Sequence, residues 1–118
     1  MTALDDRTTY APFHLYKHED QPHWTLMLSN FSASVMDRFE EAGRHPGGYG
    51  WADVTLWVLE QEDSLDAASV ELDPESDTYV ALVKDIDALK RLARALHRLF
   101  HDEQALATAL EYAPYEYD

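Results

Sequence analysis

Apolar residues alternate with their neighbours over two short stretches early in the chain: Phe13 and Leu15 against His14 and Tyr16, then Trp24, Leu26 and Leu28 against Thr25 and Met27. A period of two marks a strand with one buried face, and the turn-forming Glu19-Asp20-Gln21-Pro22 between the stretches makes them a hairpin. The spacing then lengthens. Val35, Met36 and Phe39 share a helical face behind Ser32 or Ser34, whose hydroxyls suit the free N–H groups of a helix start, and Gly43 supplies a left-handed stop. All four glycines lie between Gly43 and Gly50 with Pro46 among them, which marks 45–50 as an irregular loop. Trp51, Val54 and Val58 form the stripe of a second helix over 51–61, with Trp57 on a neighbouring face.

The order then recurs. Ala68, Val70 and Leu72 alternate with Ser69 and Glu71, and after Asp73-Pro74-Glu75-Ser76-Asp77 the residues Thr78, Val80 and Leu82 alternate with Tyr79 and Ala81, giving a second hairpin. Asp73, just before a proline, is placed to bond the turn backbone, while Glu75 and Asp77 lie farther round it. Asp85 is the N-cap of the clearest helix, whose stripe is Ile86, Leu89, Leu92, Ala93, Leu96, Leu99 and Phe100. Its acids come first and its bases last, as the helix dipole favours. Asp102 restarts a last helix through Leu106, Ala109 and Leu110, which ends near Ala113-Pro114. The expectation is an α+β fold of order β-β-α-α-β-β-α-α, an antiparallel sheet from two hairpins with helices packed on one face.

Composition narrows this further. At 118 residues, 46% hydrophobic and 12% aromatic, the chain suits one domain with a real core, and 1–10 and 114–118 are expected as flexible tails. Nine Lys and Arg against 23 Asp and Glu leave a net charge of −14, which repels phosphate backbones and anionic lipid, so neither nucleic acid nor membrane is expected as a partner. The absence of cysteine removes disulfides, thiolate-bound metals and thiol nucleophiles together. Met1-Thr2-Ala3-Leu4-Asp5-Asp6 has neither the basic nor the apolar region of a signal peptide, and no apolar run reaches the ~18 residues of a membrane span. A cytoplasmic protein is expected.

Charge is unevenly placed. Between His45 and Val83 stand nine acids and no Lys or Arg, whereas Lys84, Lys90, Arg91, Arg94 and Arg98 crowd the long helix. Such an acidic run costs self-repulsion and points to an external positive surface, while the basic stripe reads as the solvated back of an amphipathic helix. Chemistry is harder to find. His97 and His101 are four apart on a helix, but they lack the intervening Glu of a zinc-protease motif and stand beside Arg94 and Arg98, which repel cations. His18 and His23 flank the first turn, two ligands without a third. No Gly-x-Ser-x-Gly elbow exists, and Gly47-Gly48-Tyr49-Gly50 lacks the Lys-Ser/Thr of a phosphate-binding loop. Catalytic residues, metal and cofactor are all expected to be none. Trp51 and Tyr79 are assigned to the core. Asp53, Glu60, Asp63, Glu75 and Asp77 form the expected partner-binding surface, with Tyr49 and Trp57 as aromatic anchors.

Several short motifs stand in order: Phe39-Glu40-Glu41-Ala42-Gly43, Gly48-Tyr49-Gly50-Trp51, Leu72-Asp73-Pro74-Glu75, Tyr79-Val80-Ala81, and a Leu-rich helix after an acidic cap. In these the sequence resembles the immunity protein 51 family of bacterial polymorphic toxin systems, over about 13–110. It departs from the family at Ser76-Asp77-Thr78-Tyr79, where a glycine-containing turn leading to Phe is more usual. The resemblance implies a non-enzymatic protein that binds a cognate toxin domain and neutralises it until export. Acidity fits a toxic nuclease with a basic substrate groove. Two other classes share parts of the pattern: a small hydrolase using His and carboxylates, which requires a pocket where they converge, and an acidic DNA mimic or regulatory module, which requires carboxylates at phosphate-like separations.

Overall fold

The computed structural model describes residues 2–118. Its sheet has five strands, β1 (Thr2–Asp6), β2 (His14–His18), β3 (Trp24–Leu28), β4 (Val70–Leu72) and β5 (Tyr79–Val83). All are paired antiparallel in the order β1-β2-β3-β5-β4. The helices are α1 (Ala33–Glu41), α2 (Gly48–Gln61), α3 (Ile86–His101) and α4 (Glu103–Tyr112), and a single 3-10 turn at Ala67–Ser69 leads into β4. The α+β class, both hairpins and the order of the helices agree with the sequence pattern. One strand is added: 2–6, expected within a flexible tail, pairs with β2. His14 donates from Nε2 to Asp5 across that pair at 2.6 Å, and this bond is the main reason the Asp5 carboxyl titrates below its ordinary range.

Register explains the core. Leu15, Leu26 and Ala81 lie opposite one another across β2, β3 and β5, with Leu28 opposite Tyr79, so the centre of one sheet face is apolar. The helices cover that face, while Tyr16, Met27, Val80 and Leu82 on the other face stay partly exposed. Asp85 accepts from the Ala88 N–H and Asp102 from the Gln104 and Ala105 N–H groups, so both expected acidic caps form. Between them α3 buries Leu89, Leu92, Ala93, Leu96 and Leu99. The cap of α1 differs from expectation: Ser32 occupies the position with φ 63°, and its hydroxyl meets Ser34 Oγ at 3.3 Å rather than a backbone N–H. Gly43 does end this segment in the left-handed region, at φ +74°.

At the centre, Phe13, Phe39, Trp51, Tyr79 and Phe100 interlock, largely edge to face, with Trp51 stacked on Phe100 at 5.9 Å. Tyr79 carries the polar exception. The Thr55 hydroxyl donates to the Trp51 carbonyl at 2.9 Å, so its one proton is committed, and the 2.8 Å contact with Tyr79 is the phenol donating to Thr55. Burial pushes the Tyr79 phenol above its ordinary value.

Candidate partner-binding surface

The loop predicted over 45–50 is in its second half the first turn of α2, which begins at Gly48. Gly47 and Gly48 are there because the second hairpin leaves no room for side chains. A Cβ on Gly48 would lie 1.9 Å from the Glu75 carbonyl oxygen and 2.3 Å from that of Thr78, and one on Gly47 would lie 2.1 Å from that of Ser76. The Gly48 N–H donates to the Ser76 carbonyl at 3.2 Å. The turn is closed by the backbone pair Glu75–Thr78, whereas Asp73 contributes its N–H to Val80. Gly48–Trp51 and Asp73–Glu75 are thus two halves of one joint between a helix start and a hairpin tip. From this joint Glu75 and Asp77 project into solvent, and Tyr49, half-buried, packs against the His45 ring at 5.3 Å.

Asp53 is somewhere else entirely. It is fully buried, and its carboxylate accepts from the backbone N–H groups of Glu116 (3.0 Å), Tyr117 (2.9 Å) and Asp118 (3.2 Å). The expected surface loses this residue, because its charge is spent on an internal clasp. Arg44, also buried, holds the preceding turn of chain. Its guanidinium donates to the carbonyls of Leu110, Ala113 and Pro114 and lies 3.7 Å over the Tyr115 ring. The His45 N–H adds a 2.7 Å bond to the Asp118 carboxylate. Residues 114–118, expected as a frayed tail, are therefore tied to α2 and to the segment before it. Neither Arg44 nor this clasp is anticipated from pattern.

The remaining candidates stand at the other end of α2. Glu60 and Asp63 are exposed, and half-buried Trp57 lines a groove between α2, α3 and α4 of about 650 Å³. Twelve residues of helix separate Gly48 from Glu60, about 18 Å at 1.5 Å per residue, so Glu75 and Asp77 form one acidic group and Glu60 and Asp63 another. Across the groove α3 presents Arg91, Arg94 and Arg98, all exposed.

The histidine pair of α3 takes up structural contacts. His101 donates from Nε2 to the Ala11 carbonyl at 3.0 Å, and His97 meets the Tyr10 ring edge-on. Burial first, and repulsion by His101 second, hold His97 below its ordinary value. Among the described residues no group of three or more His, Asp or Glu side chains is placed to hold a metal ion. Among the described residues no helix is long and apolar enough to cross a membrane.

In comparisons with known proteins, neither the curated proteins nor the solved structures gave a match. The family model described as Immunity protein 51 matches residues 13–114. That span opens on Phe13 of the aromatic cluster and closes on Pro114, held by Arg44. It takes in both later hairpin units, all four helices and the joint of Gly48 with the hairpin tip, and leaves outside β1 with the turn that follows it and the last residues of the clasp. The chain belongs to the immunity protein 51 family.

Proposed function

We propose that this chain is a non-enzymatic inhibitor that binds and neutralises a cognate bacterial toxin domain in the cytoplasm of the cell that makes it. The observation that carries this is the family match across residues 13–114. The distribution of charge supports it: a chain at −14 with exposed carboxylates at the hairpin tip and at the end of α2 is attracted to a basic surface from a distance. A nuclease, which must hold a polyanion, presents such a surface, and it is the toxin chemistry this proposal favours. The contact surface comprises Glu75 and Asp77 with Tyr49 at one end of α2, and Trp57, Glu60 and Asp63 at the other.

The test reads the genes flanking the one for this chain for a toxin domain and expresses that domain with and without this chain. Rescue of growth and a stable complex on gel filtration are the expected results, and continued killing with no complex refutes the proposal. Stopped-flow association then addresses the acids. Glu75→Lys with Asp77→Lys should slow association at low salt and flatten its salt dependence, leaving the fold intact. Unchanged low-salt association would place the steering acids elsewhere.

A further inference from the structure

The groove between α2, α3 and α4 is built unlike the rest of this acidic surface. Elsewhere the arginines have found partners: Arg7 pairs with Asp5, Arg38 with both Glu41 and Glu103, and Arg44 is enclosed by carbonyls. Arg91, Arg94 and Arg98 have not. Among the described residues none of the three comes within ion-pair distance of a carboxylate, although acids outnumber bases 23 to 9 in the chain. Arg91 donates one N–H to the Ser64 carbonyl at 3.2 Å, which fixes it against the loop after α2. The groove's floor is apolar, made by Trp57, Ala95 and Leu99, and Glu62 is the sole carboxylate lining it.

We propose that this groove is a second docking surface, and that its occupant is an extended acidic segment of the toxin carrying an apolar side chain. This rests on the function proposed above and adds the partner chemistry of one site. Charge complementarity supports it: three unpaired guanidiniums suit carboxylates, which they bind in bidentate geometry. Their arrangement selects an extended chain over a small anion. Positions 91, 94 and 98 follow steps of three and four along one helix face and span about 10 Å, which makes a row rather than a convergent cradle. In an extended segment, carboxylates on alternate residues fall about 7 Å apart and can meet such a row. Trp57 and the arginines are also the residue types that dominate binding when they border a desolvated pocket. The acidic groups speed encounter with the toxin's basic surface, and the groove holds the complex once formed.

The experiment uses as its probe the toxin domain identified by the growth-rescue test above and measures dissociation by surface plasmon resonance at physiological salt. Arg94→Glu with Arg98→Glu changes two exposed side chains, and circular dichroism and thermal unfolding verify that the fold is kept. The proposal expects dissociation to accelerate by about thirty-fold or more. It also expects reversal of an acidic segment on the toxin to restore binding to that variant, and hydrogen exchange in the complex to slow across 91–98. Dissociation within twofold of the parent overturns it, as does protection confined to the hairpin tip. If the parent alone sediments as a dimer that the double variant separates, the occupant is a second copy and the proposal is wrong. Failure of the parent to bind at all overturns the functional proposal and this inference with it, whereas binding unaffected by the variant overturns this inference alone.

Discussion

Replacing Asp53 by alanine removes the acceptor for the N–H groups of Glu116, Tyr117 and Asp118. A hydrogen bond to a charged group contributes about 1.5–3 kcal/mol, so three contribute roughly 4.5–9 kcal/mol before opposing terms. Ordering the backbone of those three residues costs about 1–2 kcal/mol each. At the middle of both ranges the clasp stabilises the fold by about 2 kcal/mol, and Asp53→Ala should lose roughly that amount. Deleting 116–118 instead should cost more, toward 3–5 kcal/mol, because it leaves the fully buried carboxylate without its donors. The two changes share one interaction, so the deletion should cost almost nothing in an Asp53→Ala background. Urea unfolding of the four proteins in that cycle measures the coupling, provided the slope with denaturant is unchanged. Amide hydrogen exchange at Glu116–Asp118 gives an independent readout, slow in the parent and fast in Asp53→Ala. Additive costs, or exchange at the free-chain rate in the parent, would show that no clasp forms.

Other expectations follow from the core and the joint. Leu92→Ala or Leu96→Ala, each at a fully buried position of α3, should lower stability by about 2–5 kcal/mol in the same unfolding assay. Gly48→Ala drives a Cβ into two backbone carbonyls and should cost about 3 kcal/mol or more, against about 1–2 kcal/mol at Gly43, where only the positive φ opposes the substitution. Thr55→Val strands the buried Tyr79 phenol and should cost about 1–3 kcal/mol, more than the ~0.5–1.5 kcal/mol of Tyr79→Phe; the reverse order would contradict the assigned donor direction. With the Tyr79 ionisation raised by burial, the unfolded chain ionises there near pH 10 while the native chain stays protonated, so stability falls as pH rises above about 10. Tyr79→Phe should reduce that alkaline loss in a pH series of thermal unfolding.

Helices α3 and α4 were legible because each has one dry face, one wet face and an aspartate at its start, and periodicity is a test of that contrast. Helix α2 defeats the same test. Its residues from Gly50 to Thr55 are all buried, so it has no wet face in its first half for a stripe to reveal. Asp53 was assigned to solvent by charge alone. The available signal was its setting in Trp51-Ala52-Asp53-Val54, where a carboxylate flanked by apolar residues needs donors from outside its helix. Strand β1 went unseen for another reason: an edge strand gains pairing on one side only, and Thr2-Ala3-Leu4-Asp5-Asp6 shows no alternation. The glycines were visible as punctuation, yet pattern could not say that Gly47 and Gly48 admit the hairpin tip, since a close approach is a property of two distant segments together.

The clasp and the joint bear on how the acidic run can act. With Asp53 withdrawn, the exposed carboxylates proposed for contact fall into two groups about 18 Å apart along α2. The Debye length is about 8 Å at physiological salt and about 30 Å at 0.01 M. At low salt both groups therefore contribute to one field, and reversing either slows encounter with a basic surface. At physiological salt each group reaches only what lies near it, so reversing the group that faces the toxin slows association while reversing the other leaves it almost unchanged. A salt series on Glu75→Lys with Asp77→Lys beside Glu60→Lys with Asp63→Lys thus separates general attraction from local contact. The groove adds the opposite sign next to Glu60, across from Trp57, and a toxin seated there meets cationic and anionic walls in a fixed order. That order gives the complex a direction: a basic surface bearing an acidic segment satisfies both walls in one orientation and places like charges together in the other, at a cost of several kcal/mol.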